Sequence, residues 1–190
     1  MHPVTLVLEI VTLLWVASEV ALAFFARGRG RLVRRRDAGS LAVLWSAVAL
    51  GILAATLLVR VRAAAIPFPV PWLHAISLLI LVTGLAIRAT AILTLGRFFT
   101  TSVTVLDQHR LVHSGLYRRV RHPAYTGLLI AFFGLGVSFA NWLSLPAVVV
   151  PIFAALLYRI RVEESALIAA LGEDYRRYRK ETKSLIPGLC

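Results

Sequence analysis

The sequence predicts an all-α, polytopic membrane protein with about five transmembrane helices, and three observations carry that expectation. Hydrophobic residues make up 59% of the 190 and only 16% are charged, more apolar surface than a soluble domain of this size hides. The apolar residues gather into five segments: Thr5–Ala26, Leu41–Val59, Trp72–Leu95, Ala124–Ala140 and Trp142–Tyr158. The lysines and arginines, which set a net charge of +12, fall almost entirely in alternate connections between those segments.

The first three segments are long enough to cross ~30 Å of hydrocarbon at ~1.5 Å per residue. Nothing charged precedes the first, and a basic block rather than a small-residue cleavage pattern follows it, so it is expected to be a retained helix and not a leader. The last two segments have 17 residues each and meet at Asn141, which predicts a tight helical hairpin. Ile66-Pro67-Phe68-Pro69-Val70-Pro71 predicts a stiff turn between the second and third segments. The whole of 1–190 is expected to form a single membrane domain, with 1–71 supplying two N-terminal helices and their connections and 72–190 the functional core.

Arg27–Ser40 holds six arginines, Gly96–His122 five, and Arg159–Cys190 seven Lys or Arg, whereas the opposite side holds only Arg60 and Arg62. Eighteen against two places the N-terminus outside and the C-terminus in the cytoplasm by the positive-inside rule. A bacterial inner membrane is the expected location. The basic excess is thereby topological, which argues against a nucleic-acid partner. Cys190 is the single cysteine, so the chain has no intrachain disulfide and no cysteine-based metal cluster. His74, His109 and His113 lack metal-ligand spacing, and no metal site is expected.

Polar chemistry concentrates at Arg121-His122-Pro123-Ala124-Tyr125-Thr126-Gly127, where a basic stretch runs into the fourth segment. Such side chains are costly in hydrocarbon, so a cluster at the mouth of a membrane helix points to a site at the membrane surface. Pro123 suits a first helical turn, which puts His122 at the N-cap and Tyr125 on that turn. Glu163 and Glu164 follow the last apolar segment beside Arg159 and Arg161, where pairing or ligand contact is the expected fate of their charge. Tyr175 and Tyr178, three apart, share a helix face. Arg118 and Arg119 are expected to anchor at anionic headgroups.

Read together, Leu95-Gly96-Arg97-Phe98-Phe99-Thr100, Gly115-Leu116-Tyr117-Arg118, the Arg121–Gly127 motif, Arg161-Val162-Glu163-Glu164, Leu171–Tyr178 and Ile186-Pro187-Gly188 form an ordered set. The set resembles the integral-membrane methyltransferase family that includes isoprenylcysteine carboxyl methyltransferases and phospholipid methyltransferases. The resemblance covers about Leu95 to Gly188. It implies S-adenosylmethionine as methyl donor, held in a cytosolic pocket formed by the loop before the fourth helix and the C-terminal segment, and a lipid-linked acceptor entering from the bilayer. It implies cofactor contacts at Leu111, Val112, Tyr117, His122, Pro123, Tyr125, Glu163, Glu164, Tyr175 and Tyr178. Arg121, Glu164 and Lys183 are the candidate catalytic side chains, and Arg88, Arg97 and Phe99 the candidate substrate contacts. The chain departs from the pattern in two places. Leu116 stands where many members have Pro, and Lys183-Ser184 where many have Arg; lysine keeps the charge but loses the two-pronged geometry of a guanidinium.

The acceptor is expected to be a membrane lipid or a prenylated small molecule or protein. Carboxyl O-methylation of a prenylcysteine-like substrate is the leading reading. Phospholipid amine N-methylation, an NADPH-dependent membrane reductase and a non-enzymatic membrane scaffold are the alternatives. Oligomeric state has no signature in the sequence.

Glu19 and Arg88 each lie seven residues from the inner end of their segment, roughly 10 Å deep at ~1.5 Å per residue. A charge at that depth is costly unless paired. An ion pair between them is expected, with Arg88 lining a substrate tunnel as the alternative.

Overall fold

The computed structural model describes residues 2–25, 32–35, 39–96, 99, 104–106 and 111–185. Six α-helices account for most of it: α1 (Pro3–Phe25), α2 (Ser40–Leu58), α3 (Val70–Leu95), α4 (Pro123–Ser138), α5 (Ser144–Leu171) and α6 (Glu173–Glu181). β1 (Leu32–Arg35) and β2 (Thr104–Leu106) make a small antiparallel ribbon that ties the connection after α1 to the one after α3. The sequence reading placed no strand in either connection. Four helices, α1, α2, α3 and α5, are long and apolar enough to cross a membrane, and α4 is a shorter apolar helix. Their surfaces expose large hydrophobics such as Leu13, Leu50, Trp72, Leu79, Leu93 and Val150, as a lipid-facing exterior requires.

The hairpin expected at Asn141 is present. Asn141 Oδ1 accepts from the backbone N–H of Leu143 at 2.9 Å and of Ser144 at 3.2 Å, serving the first donors of α5. Its Nδ2 donates to the carbonyl of Val61, and Trp142 N donates to Ala64 O, which fastens the hairpin to the connection between α2 and α3. The two arms are unequal. Sixteen residues give α4 a length of about 24 Å, whereas the 28 of α5 give about 42 Å. The apolar run stops at Tyr158, but Arg159–Leu171 is rich in strong helix formers and carries the helix on until Gly172, at φ +59°, ends it.

Helix α3 packs on α4, α4 on α5, α2 on α5 and α1 on α3. One apolar core, including Trp15, Leu44, Leu81, Leu128, Phe132, Ile152 and Leu156, draws from all five long helices. The α3–α4 contact is backbone to backbone. A Cβ on Gly127 would lie 2.5 Å from Gly84 O and 2.6 Å from Arg88 N, and one on Gly134 would lie 2.7 Å from Leu81 N. Gly127, Ala131 and Gly134 recur at the three-and-four spacing of one helix face, a stripe that permits this approach.

Arg88 and Glu19 form the expected pair. Arg88 Nε donates to Glu19 Oε1 at 2.6 Å and Nη2 to Oε2 at 2.7 Å, the bidentate arrangement. Trp15 Nε1 also donates to Glu19, and Arg88 Nη1 to the carbonyl of Ala124 in the first turn of α4.

Replacing Gly127 by Ala should lower stability in detergent by about 1–3 kcal/mol, since the added methyl meets backbone rather than a yielding side chain; a thermal melt checks it. Either single alanine variant of the Glu19–Arg88 pair should cost about 3 kcal/mol or more by leaving a buried charge alone. The double charge swap should recover most of that loss in the same melt.

Candidate active site

Four segments converge where the N-terminus of α4 meets the middle of α5: Arg119–Tyr125, the Arg159–Glu164 turn of α5, α6, and the extended segment Lys183–Leu185. The last is laid alongside the segment leading into α4. Arg121 N donates to Lys183 O at 2.8 Å, His122 N to Ser184 O at 3.1 Å, Lys183 N to Arg119 O at 3.1 Å, and the Thr126 hydroxyl to Leu185 O at 2.6 Å. His122 is the N-cap residue of α4, and Pro123 follows at N1. The His122 side chain makes no capping hydrogen bond and turns instead toward α5. Its Nε2 lies 3.3 Å from Glu164 Oε1 and its Nδ1 3.9 Å from Glu163 Oε2.

Glu164 is the hub. Arg121 Nε donates to its Oε1 at 2.8 Å, and Arg179 Nε, from α6, lies 3.2 Å from its Oε2. Arg121 also donates through Nη1 to the carbonyls of Arg179 and Thr182, which satisfies the end of α6. Two guanidiniums and an imidazole thus surround one carboxylate, and the His122 ring donates to Oε1, which already accepts from Arg121. Glu163 faces a different set. Tyr125 Oη donates to its Oε2 at 2.7 Å, while Arg159 Nε donates to that same Oη at 2.9 Å and Arg159 Nη1 to Ser40 Oγ at 3.0 Å. The Tyr125 and His122 rings stack at 5.6 Å with 15° between planes.

The aromatic wall belongs to α6. Tyr175 and Tyr178 are buried and meet edge to face, His113 packs edge-on against Tyr178, and Tyr178 Oη donates to the carbonyl of Tyr117 at 2.7 Å. Burial raises the Tyr178 phenol to about 12. Burial also raises Tyr175, with the Glu164 and Glu163 carboxylates adding to it, and raises Tyr117, with Glu163 again adding. All three stay protonated donors at neutral pH.

The structure brings together most of the residues named from sequence. His122, Tyr125, Glu163, Glu164 and Arg121 form one cluster, and Tyr117, Tyr175 and Tyr178 flank it. Pro123 is buried beneath it. Val112 packs with Tyr117, Ala91 and Ala124, and Leu111 lines a cleft of about 330 Å³ with His113, Leu171, Asp174, Arg177, Tyr178 and Glu181. Lys183 enters through its backbone, and its side chain is exposed. Phe99 is half-buried beside the end of α3, donating through its N–H to Gly96 O. Arg97 lies outside the described residues. Arg88 is taken up by Glu19 and Ala124 behind the first turn of α4.

Glu164 is ion-paired, and its partners come from beyond the neighbouring Arg159 and Arg161. Glu164 is met by Arg121 and Arg179 from other segments, while Arg159 reaches Glu163 only through Tyr125 and Arg161 is exposed. Arg179 and Thr182 continue the face begun by Tyr175 and Tyr178, so extending that spacing by one turn identifies them. No sequence pattern points to Ser40.

Residues 76–169 match the isoprenylcysteine carboxyl methyltransferase family. The chain belongs to that family. It is 35% identical over 114 residues to a probable protein-S-isoprenylcysteine O-methyltransferase of Oryza sativa subsp. indica, covering 59% of this chain and 60% of that one. It is 35% identical over 118 residues to protein-S-isoprenylcysteine O-methyltransferase A of Arabidopsis thaliana (61% and 60%), and 32% identical over 120 residues to the Mus musculus protein-S-isoprenylcysteine O-methyltransferase (62% and 42%). The chain thus spans about 60% or less of the length of these curated relatives. Among solved structures it resembles the eukaryotic intramembrane Ras methyltransferase ICMT, with a TM-score of 0.54 and 26% identity over 83% of this chain and 55% of that one. The family match takes in Arg88, His122, Tyr125, Glu163 and Glu164. It leaves out Glu19, Ser40 and all of α6.

The donor set fits the methyl donor that the family implies. Glu163 uses Oε2 on Tyr125, is 30% exposed, and among the described residues has no hydrogen bond on Oε1. That leaves an acceptor for an amine or a ribose hydroxyl. The cleft that shares Tyr178 with the aromatic wall adds two carboxylates, a guanidinium and aromatic edges, the groups a zwitterionic nucleoside requires.

Glu164→Ala should free α6 from α5, since it removes the acceptor shared by Arg121 and Arg179. Hydrogen exchange across 173–182 should accelerate, with the exchange of α3 unchanged. Stability should also fall as pH rises from about 10 to about 12, because a phenol raised by folding stabilises only while protonated and that contribution is lost on passing its folded value. Tyr178→Phe should flatten this alkaline slope in melts taken across that range.

Proposed function

We propose that this chain is an S-adenosylmethionine-dependent membrane methyltransferase that esterifies the carboxylate of a prenylcysteine-like, lipid-anchored acceptor. The observation that carries the reading is the Glu163–Tyr125–His122–Glu164 cluster, held at the inner end of two membrane helices within the segment that matches the family. When bound, the cofactor supplies an electrophilic methyl on a sulfonium. The chain's own groups bind and orient. Glu163 and Asp174 offer acceptors to hydroxyls and an amine, Arg177 offers a guanidinium to a carboxylate, and Tyr178 and His113 offer aromatic edges. Methyl transfer is an in-line displacement, so alignment and exclusion of water supply much of the acceleration.

A carboxylate acceptor arrives ionised and asks for no base. Glu164 is engaged by Arg121, Arg179 and His122, so it serves as the anchor of the cluster rather than as a spare proton acceptor. That favours the carboxylate over an amine acceptor. The length of α4 supports entry from the lipid. Measured from the outer hairpin, its N-terminus ends about 24 Å along a hydrocarbon layer of ~30 Å, so the site opens at the inner edge of the bilayer rather than out in solution. The charge bias supports a cytosolic site and an extracytoplasmic N-terminus. The relatives above are plant and animal proteins, which lend no support to a bacterial inner membrane.

Purified protein in mild detergent should bind S-adenosylhomocysteine in a calorimeter, and His122→Ala, Glu163→Ala and Glu164→Ala should each weaken it by about tenfold or more. No heat from the wild-type protein would end this reading. Labelled methyl should pass to a prenylcysteine analogue and not to phosphatidylethanolamine; the reverse would move the assignment to lipid amines.

A further inference from the structure

The glutamate that offers an open oxygen does not stand alone. Tyr125 Oη carries one proton and two lone pairs. Arg159 is a donor only, so its 2.9 Å contact through Nε must occupy a lone pair of Oη. The phenol proton is thereby committed to Glu163 Oε2, 2.7 Å away. Arg159 and Glu163 lie one helical turn apart on α5, and the phenol from α4 bridges them. Arg159 is itself only 3% exposed, with its guanidinium 6.0 Å over the Tyr125 ring. A fork buried in this way needs an acceptor at its other nitrogens. Ser40, fully buried at the start of α2, provides one at 3.0 Å from Nη1. Ser40 lies outside the segment that matches the family.

We propose that Arg159 is a positioning residue for Tyr125 and Glu163, and that Ser40 of α2 sets the rotation of its guanidinium, so that the second membrane helix controls the affinity of the cofactor site without touching it. The proposal rests on the reading of Glu163 as a cofactor ligand. A purely structural role predicts that loss of Ser40 shifts every property together. Positioning predicts a selective change that passes through Tyr125.

The full-length protein is tested in detergent with tyrosine labelled at 13Cζ, the Tyr125 signal being assigned by its loss in Tyr125→Phe. Ser40→Ala and Arg159→Lys should each move that signal while the Tyr175 and Tyr178 signals hold. Ser40→Ala should weaken S-adenosylhomocysteine by about three- to tenfold, the worth of one hydrogen bond, and leave KM for the acceptor unchanged. In a Tyr125→Phe background the further effect of Ser40→Ala should vanish. An unmoved Tyr125 signal in Ser40→Ala, or an equal loss of affinity with and without the phenol, would overturn the proposal. Should Arg159→Lys fail to fold, Ser40→Ala carries the test alone. No binding of S-adenosylhomocysteine by the wild-type protein, together with a shifted Tyr125 signal in Ser40→Ala, would leave the positioning intact and remove the cofactor reading instead.

Discussion

A charge buried among membrane helices must be answered by a partner, and most of this architecture follows from answering three buried arginines and a fourth at their rim. Arg88 requires Glu19, which fixes α1 against α3. Arg159 requires the phenol of α4 and the hydroxyl of α2. Arg121 and Arg179 require Glu164, which draws α6 and the segment before α4 onto α5. Desolvation makes the guanidiniums of Arg88, Arg121 and Arg159 intolerant of an empty neighbourhood, while the exposed Arg179 closes the cluster from the solvent side. The helices that reach the site are therefore bound to it by charge-assisted contacts, where apolar packing alone would allow them to slide in lipid.

Sliding is also limited by glycine. Gly84 and Gly127 let the backbones of α3 and α4 touch, and that contact lies beside Arg88, two residues beyond Tyr125 on α4. The depth of the first turn of α4 is consequently set by main-chain atoms, with Arg88 Nη1 on the Ala124 carbonyl as a second restraint. The stacked His122 and Tyr125 rings inherit their position from this contact, and the glutamates of α5 inherit theirs from the Asn141 hairpin at the other end. Two fixed ends bring the cluster into register.

Much of this could be read from residues alone, and the reasons differ from place to place. The helices announce themselves because lipid demands long apolar runs, and Glu19 and Arg88 announce each other because their depths match. His122, Pro123 and Tyr125 were legible as a helix start carrying polar groups into an apolar segment. The end of α5 was not, because the cue used was loss of hydrophobicity at Tyr158, whereas the helix is sustained beyond it by propensity and contact with α6. The exchange of partners around Glu163 and Glu164 was hidden for a related reason: neighbours in sequence suggested Arg159 and Arg161, but helix geometry and the fold supply Arg121 and Arg179. Ser40 carries no signal of its own, since a serine before an apolar run reads as a helix start and nothing more. The ribbon of Leu32–Arg35 with Thr104–Leu106 was invisible because its two halves are short and far apart in sequence.

The segment at Lys183–Leu185 has a consequence for how the molecule is made. It accepts from the N–H groups of Arg121 and His122 and from the hydroxyl of Thr126, yet it follows all five long helices in the order of synthesis. Those donors must therefore wait, exposed to water at the membrane surface, until the ribosome has delivered some sixty further residues, as the separations of the paired residues require. Insertion into the bilayer and completion of the site are thus separate events in time, the first driven by the hydrophobic segments as each emerges and the second by the arrival of one short segment. A nascent chain halted before that segment would be embedded in the membrane but unfinished at its chemistry.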